Sequence, residues 1–194
     1  LRINEVLIKL NHSSKVVVFN KKSKDENVIQ ITNGDFNLLL KKIYRKFYHE
    51  FQKALTFKFI KKYNFFNYSE ESRYIRPKII LNKLNYIPEV IVVHYTSHFI
   101  NFKSIYELQQ LTNARIIFNM LDTAFLTGGC HYSWNCIGFH KDCSNCKALI
   151  INKNISIKNH RFKTNYLNKM CSVKLIASSS WGINQAKMSS LFKG

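Results

Sequence analysis

The chain has 194 residues, of which 46% are hydrophobic, with 30 Lys+Arg against 11 Asp+Glu for a formal charge of +19. That is enough chain for one domain with a real core, and too apolar for global disorder. No apolar run reaches the roughly 18–20 residues of a membrane span, and the mixed opening Leu1-Arg2-Ile3-Asn4-Glu5 is no signal peptide.

The positive charge favours an anionic partner, whether nucleic acid, a phosphorylated substrate or an anionic membrane face. The plainer alternative is a Lys-, Asn- and Ile-rich composition whose lysines only solvate the surface. The absence of an initial Met and the abrupt end at Phe192-Lys193-Gly194 suggest a piece of a longer protein.

In chain order, Ile3, Val6, Leu7 and Leu10 have helical spacing, and Lys15-Val16-Val17-Val18-Phe19-Asn20 is a β-branched strand. Val28-Ile29-Gln30-Ile31 is a short edge strand. A long helix is expected from Asp35, its N-cap, to about residue 62. Phe36, Leu40, Ile43, Phe47, Phe51 and Ala54 form its apolar stripe; Lys42, Lys46, His49 and Lys53 form a basic one. Such a helix either lies on an anionic membrane surface or packs on its own domain with a solvated lysine face. Residues 61–72 are aromatic, polar and irregular, and are expected to be a loop.

Pro77 opens a short helix through Leu84, and Val90-Ile91-Val92-Val93-His94 is a buried strand ending in a polar loop. Ser104 is expected to cap a helix to about residue 110, with Ile105, Leu108 and Leu111 facing inward. A strand over 115–119 follows, then a cysteine-rich loop to about residue 153. A helix over 159–170, a strand over 173–177 and a last helix capped by Ser178-Ser179-Ser180 complete the chain. This alternation predicts an α/β fold, a parallel sheet with helices on both faces.

Four of the five cysteines crowd between positions 130 and 146, spaced Cys-x5-Cys-x6-Cys-x2-Cys. Without an export signal, a local cluster points to reduced thiols or a metal, and so to the cytoplasm. Cys143 and Cys146 have zinc-knuckle spacing, but the first gap is wider than usual, so a structural zinc held by Cys130, Cys136, Cys143 and Cys146 is one option. A disulfide staple, plain burial or a Cys143/Cys146 redox pair are the others. Cys171 reads as ordinary core.

Asp122, just past a buried strand, either holds a reacting hydroxyl or caps the next turn. His94 donates to a sugar or phosphate, or merely ends its strand. Gly128-Gly129 permit close backbone approach to a ligand, or simply a tight turn. His131 and Tyr132 line a pocket or pack the loop onto the sheet.

Asp122, Thr127-Gly128-Gly129-Cys130-His131-Tyr132, Cys136 and Cys143-Ser144-Asn145-Cys146 together resemble a signature of bacterial family-4 glycosyltransferases of the polysaccharide and colanic-acid type. Val92-Val93-His94-Tyr95 resembles that family's His-Trp strand end. Ala177-Ser178-Ser179-Ser180-Trp181 and Ser189-Ser190-Leu191-Phe192 resemble its Pro-Ser-x-Trp and Ser-Ser-Leu-Phe. Leu121 stands where the family has His, Thr123-Ala124-Phe125 where it has an aromatic-Pro pair, and Lys147 where it has Pro.

The resemblance implies a GT-B architecture, with residues 1–194 as most of the Rossmann-like, acceptor-side N-terminal domain. Its first strand, with a Gly-rich turn, would precede Leu1. A C-terminal domain beyond Gly194 would grip the nucleotide-sugar donor. The implied activity is retaining hexosyl transfer to a glycan or lipid-linked acceptor in surface polysaccharide biosynthesis, on the inner face of the membrane, with this piece inactive alone. Asp122 would be catalytic; His94, Thr127, Gly128, Gly129, His131 and Tyr132 would bind acceptor. The rival from another class is a basic zinc-knuckle module binding nucleic acid, against which stands the spread of basic residues over the whole chain. A non-catalytic scaffold is a third possibility.

Overall fold

A computed structural model describes residues 2–31, 62–96, 99–149 and 152–192, together with Leu40, Ile43, Tyr44, Lys46, Phe47, Glu50 and Phe51. The described elements are α1 (Arg2–Lys9), β1 (Val16–Val18), β2 (Val28–Gln30), α2 (Pro77–Leu84), β3 (Val90–Val93), α3 (Phe102–Thr112), β4 (Arg115–Met120), α4 (Asn154–Leu167), β5 (Val173–Ala177) and α5 (Ser180–Met188).

The chain is an α/β protein whose described strands all pair in parallel. They form two sheets rather than the single one expected: β1 pairs with β2, and β3, β4 and β5 form a three-stranded sheet in that order. Helix α3 makes the crossover from β3 to β4, and the cysteine loop with α4 makes that from β4 to β5. Sequential strands joined through helices are the simplest way to build a parallel sheet.

Burial on β4 alternates, with Ile116, Phe118 and Met120 buried. Phe118 lies against Phe102, Phe125 and Phe192 at ring-centroid distances of 5.3, 5.1 and 5.5 Å. This aromatic cluster joins α3, β4, the turn after β4 and the last described residue into one core. The opposite sheet face carries Val90, Lys174 and Ile176, all exposed. Among the described residues, therefore, one face of this sheet is packed, not the two expected.

Local chemistry sets the element ends. Pro77 opens α2, and Asn85 closes it in the left-handed conformation at φ 61°. Asn101, not Ser104, caps α3: its Oδ1 accepts from the Ser104 amide at 2.9 Å. Ser104 is one turn further in and fully buried, and Leu111 is exposed rather than inward. Helix α4 starts at Asn154, ahead of the position expected from its apolar spacing. Ser179 caps α5 by accepting from the Gly182 amide at 3.1 Å.

Two further expectations meet a different outcome. Cys171 is exposed, outside the core. Of the long basic helix, Asp35, Phe36, Lys42, His49, Lys53 and Ala54 lie outside the described residues. The described positions are helical, but Leu40, Ile43, Phe47 and Phe51 are exposed, Phe47 at 75%. Among the described residues no helix is long and apolar enough to cross a membrane.

Candidate functional site

The site lies where β3 and β4 end. Past Met120 the chain leaves the sheet at exposed Leu121 and turns at Asp122. Both Asp122 oxygens are used. Oδ1 accepts from the Ala124 amide at 2.7 Å, capping the 3-10 turn Thr123–Phe125, and Oδ2 lies 2.6 Å from Nδ1 of His131. An imidazole whose Nδ1–H donates to a carboxylate presents the Nε2 lone pair on its far side. Here Nε2 meets the Tyr95 hydroxyl at 3.2 Å.

Aromatic rings hold the imidazole. Phe66 stacks on His131 at 4.1 Å between centroids, and Tyr95 lies nearly parallel to it at 5.6 Å. His131 is buried, whereas Tyr95 is 47% exposed. The result is a line from a half-buried carboxylate through a clamped imidazole to a phenol at the surface.

The segment 63–66 builds the wall behind His131. It runs antiparallel to residues 129–132, with Phe66 N–H donating to Gly129 O at 2.8 Å and His131 N–H to Asn64 O at 3.2 Å. The expected loop over 61–72 is thus a buried backing strip: Tyr63, Phe65, Phe66, Asn67, Tyr68 and Glu70 are all buried.

Thr127 and the glycines hold the loop's own shape. Thr127 Oγ1 donates to Cys130 O at 2.7 Å and accepts from the Cys130 amide at 2.9 Å. A Cβ on Gly128 would stand 2.2 Å from Ser156 O. One on Gly129, at φ +152°, would stand 2.7 Å from the Phe65 ring. The close approach these glycines allow is to α4 and to Phe65.

Helix α4 clamps this loop with one polar stripe. Ser156 Oγ donates to Cys143 O, Asn159 Nδ2 to Asn67 O and Gly128 O, and Lys163 Nζ to Ala124 O at 2.7 Å and Thr127 O at 2.8 Å. Lys163 is itself buried, 3.9 Å from the buried Glu70 carboxylate.

His94 stands apart from this line. It is exposed at the end of β3, and its Nδ1 meets Asn119 Nδ2 at 2.8 Å. Partial desolvation, then the charge of the amino terminus, hold it below the usual imidazole range. Tyr132 is exposed beside Trp134, whose Nε1–H donates to Lys62 O at 2.7 Å.

Cys130, Cys136, Cys143 and Cys146 line one cavity of about 30 Å³, and none is in a disulfide. Burial, then the neighbouring cysteines, push Cys130 well above the usual thiol range, and burial pushes Cys143 up to about 12. A thiol held protonated at Cys143 is a poor nucleophile, which weakens the redox-pair alternative. As the chain stands, no three or more His, Cys, Asp or Glu among the described residues are arranged to hold a metal ion.

Tyr95, Phe66, Asn159 and Lys163 escaped the sequence reading. Tyr95 was visible as the residue after a strand-end His. Nothing in the local pattern of the other three marks them, because each acts on a segment dozens of residues away.

The fold and this geometry define an α/β protein with parallel sheets and an Asp–His–Tyr line at the carboxyl ends of two strands. No protein-family model, curated protein or solved structure matches the chain.

Proposed function

We propose that this chain is the Rossmann-like, acceptor-side domain of a GT-B glycosyltransferase that moves a sugar from a nucleotide-sugar to a glycan or lipid-linked acceptor. The observation that carries the reading is the Asp122–His131 pair, joined at 2.6 Å and backed onto Tyr95 at the carboxyl end of β4. Ligands of parallel α/β sheets bind at that edge. The resemblance of Thr127-Gly128-Gly129-Cys130-His131-Tyr132 to the family-4 signature supports it further.

In this reading the Tyr95 hydroxyl is the surface contact for the acceptor. The acceptor oxygen attacks the anomeric carbon, the bond from that carbon to the diphosphate breaks, and the hydroxyl proton passes through Tyr95 to His131 Nε2. Asp122 fixes the tautomer that makes Nε2 an acceptor and stabilises the imidazolium. Neutralising the leaving diphosphate falls to positive groups of a second domain, and the intact enzyme holds the acceptor oxygen against the anomeric carbon on the face the diphosphate leaves, so that configuration is retained.

The test uses the chain itself. With 15N-labelled imidazoles, titration with oligosaccharides should shift the His131 side-chain resonances, and Tyr95→Phe should weaken that response. A duplex or single-stranded nucleic acid should bind only loosely. Salt-steep, tight nucleic-acid binding with no glycan response would replace the transferase reading with the nucleic-acid module.

A further inference from the structure

The cysteine cavity has a use that glycosyl transfer leaves unexplained. Its walls bring together residues from distant parts of the loop: Cys130 beside the Gly-Gly turn, Cys136 after the Tyr132/Trp134 corner, and Cys143 and Cys146 ahead of α4. Its volume of about 30 Å³ holds one small guest, since roughly 10–15 Å³ suffices for a water. Tyr63, Phe65, Phe139 and Ala148 supply much of its apolar lining, and Thr127, Ser144, Lys147 and Ser156 also reach it.

An apolar cavity of this kind would ordinarily stay empty, yet one wall carries a polar atom with nothing to bind. Ser133 is 2% exposed and lines the cavity, and among the described residues its Oγ has no hydrogen-bond partner. Buried hydroxyls are seldom left so. Four cysteines lining one small void point to a guest that is soft and cationic.

We propose that Cys130, Cys136, Cys143 and Cys146 form a thiolate site for one Zn²⁺ ion, which staples the loop carrying His131. Thiolate donors select soft ions, and zinc accepts four sulfurs without demanding a particular geometry from its d electrons. The Gly128 amide donates to Cys143 Sγ at 3.2 Å, the outer bond that steadies a metal-bound sulfur. Cys143 and Asn145 both take left-handed backbone, at φ 58° and 52°, which folds the Cys-x2-Cys turn tightly.

The four cysteines line the cavity without forming a ready-made metal cage among the described residues, so binding requires their side chains to close on the ion. Binding releases the four Sγ protons to solvent and involves no oxidant or reductant. The buried Lys163 ammonium, held on Thr127 O at 2.8 Å, stands one residue from the Gly128 amide and offsets part of the negative charge. This inference rests on the cavity alone and stands whether or not the chain serves a transferase.

The deciding experiment is Co²⁺ titration of the unsubstituted 194-residue chain purified under reducing conditions, with total zinc measured on the same preparation. The expected result is one metal per chain and a tetrahedral cobalt spectrum with strong thiolate-to-cobalt charge transfer. Cys146→Ser should weaken or abolish that spectrum, while Cys171→Ser should leave it intact, because Cys171 is exposed on another element. Four freely titrating thiols with no metal bound would overturn the site. So would disulfides seen by mass, iron with acid-labile sulfide, or loss of binding in Cys171→Ser alone.

Discussion

His160 shows what a single buried group imposes on this chain. It is buried on α4, with Nε2 3.2 Å from Ser190 Oγ, and burial and then the Lys163 charge push it down to about 4 from an ordinary 6.5. Between those values the unfolded chain binds more protons than the folded one, so stability rises with pH across this window. It is fully present above about 6.5 and is lost as pH falls toward 4, by an amount on the order of 3 kcal/mol. Urea unfolding at about pH 7 and about pH 4 should show this loss, and His160→Gln should shrink it. An unchanged difference in the variant would assign the acid sensitivity to other groups.

At the same scale, Asp122 and His131 were readable as polar residues on a Gly-containing loop after a strand. Their bond was not, because the spacing of two residues says nothing about how the intervening turn folds back. Tyr95 joins them only through the pairing of β3 with β4, Val93 opposite Phe118.

Among the elements, α4 does the most to fix the site. Ser156, Asn159 and Lys163 share one face of the helix, and each bonds to the loop or to its backing strip. The Lys163–Glu70 pair lies inside that contact with both side chains buried. Lys163→Met should therefore lower the unfolding free energy by about 3–5 kcal/mol, since it takes a buried cation away from a buried carboxylate. Adding Glu70→Gln should return part of that loss in chemical denaturation. A double variant no more stable than the single would place the cost on the lost bonds to Ala124 and Thr127 instead.

Elements with strong local signals were legible. The Pro-led α2 and the apolar runs of β3, β4 and β5 fall where periodicity puts them. Helix α4 was misplaced because its buried face is polar, carrying Ser156, Asn159, His160 and Lys163, and hydrophobic spacing cannot register such a face. The expected loop over 61–72 does lack a regular strand, although most of its side chains between 63 and 70 are core. Burial without regular structure leaves no period to detect.

For the whole molecule, sequence pattern captured the parallel α/β class but not the division of strands. β1 and β2 are joined by residues 19–27 without a helix and pair apart from β3–β5. Their packing reaches the common core through Ile31, Val17 and Ile29, so two small sheets share one interior. The charge of +19 is a property at this scale too, suiting a protein whose proposed substrates carry diphosphate and whose proposed acceptors sit at an anionic surface.

The central claim is that Asp122 acts through His131 on a transferred sugar's acceptor, and one variant of the full-length protein tests it. Asp122→Asn keeps an Oδ1 to cap the Ala124 amide but puts an amide nitrogen where Oδ2 met His131 Nδ1. The imidazole then takes the other tautomer, and Nε2 no longer accepts a proton. Steady-state kinetics and a thermal melt should show turnover falling on the order of ten- to ten-thousand-fold with the melting temperature nearly unchanged. Full turnover, with or without a lower melting temperature, would contradict the claim and leave Asp122 as the cap of a turn.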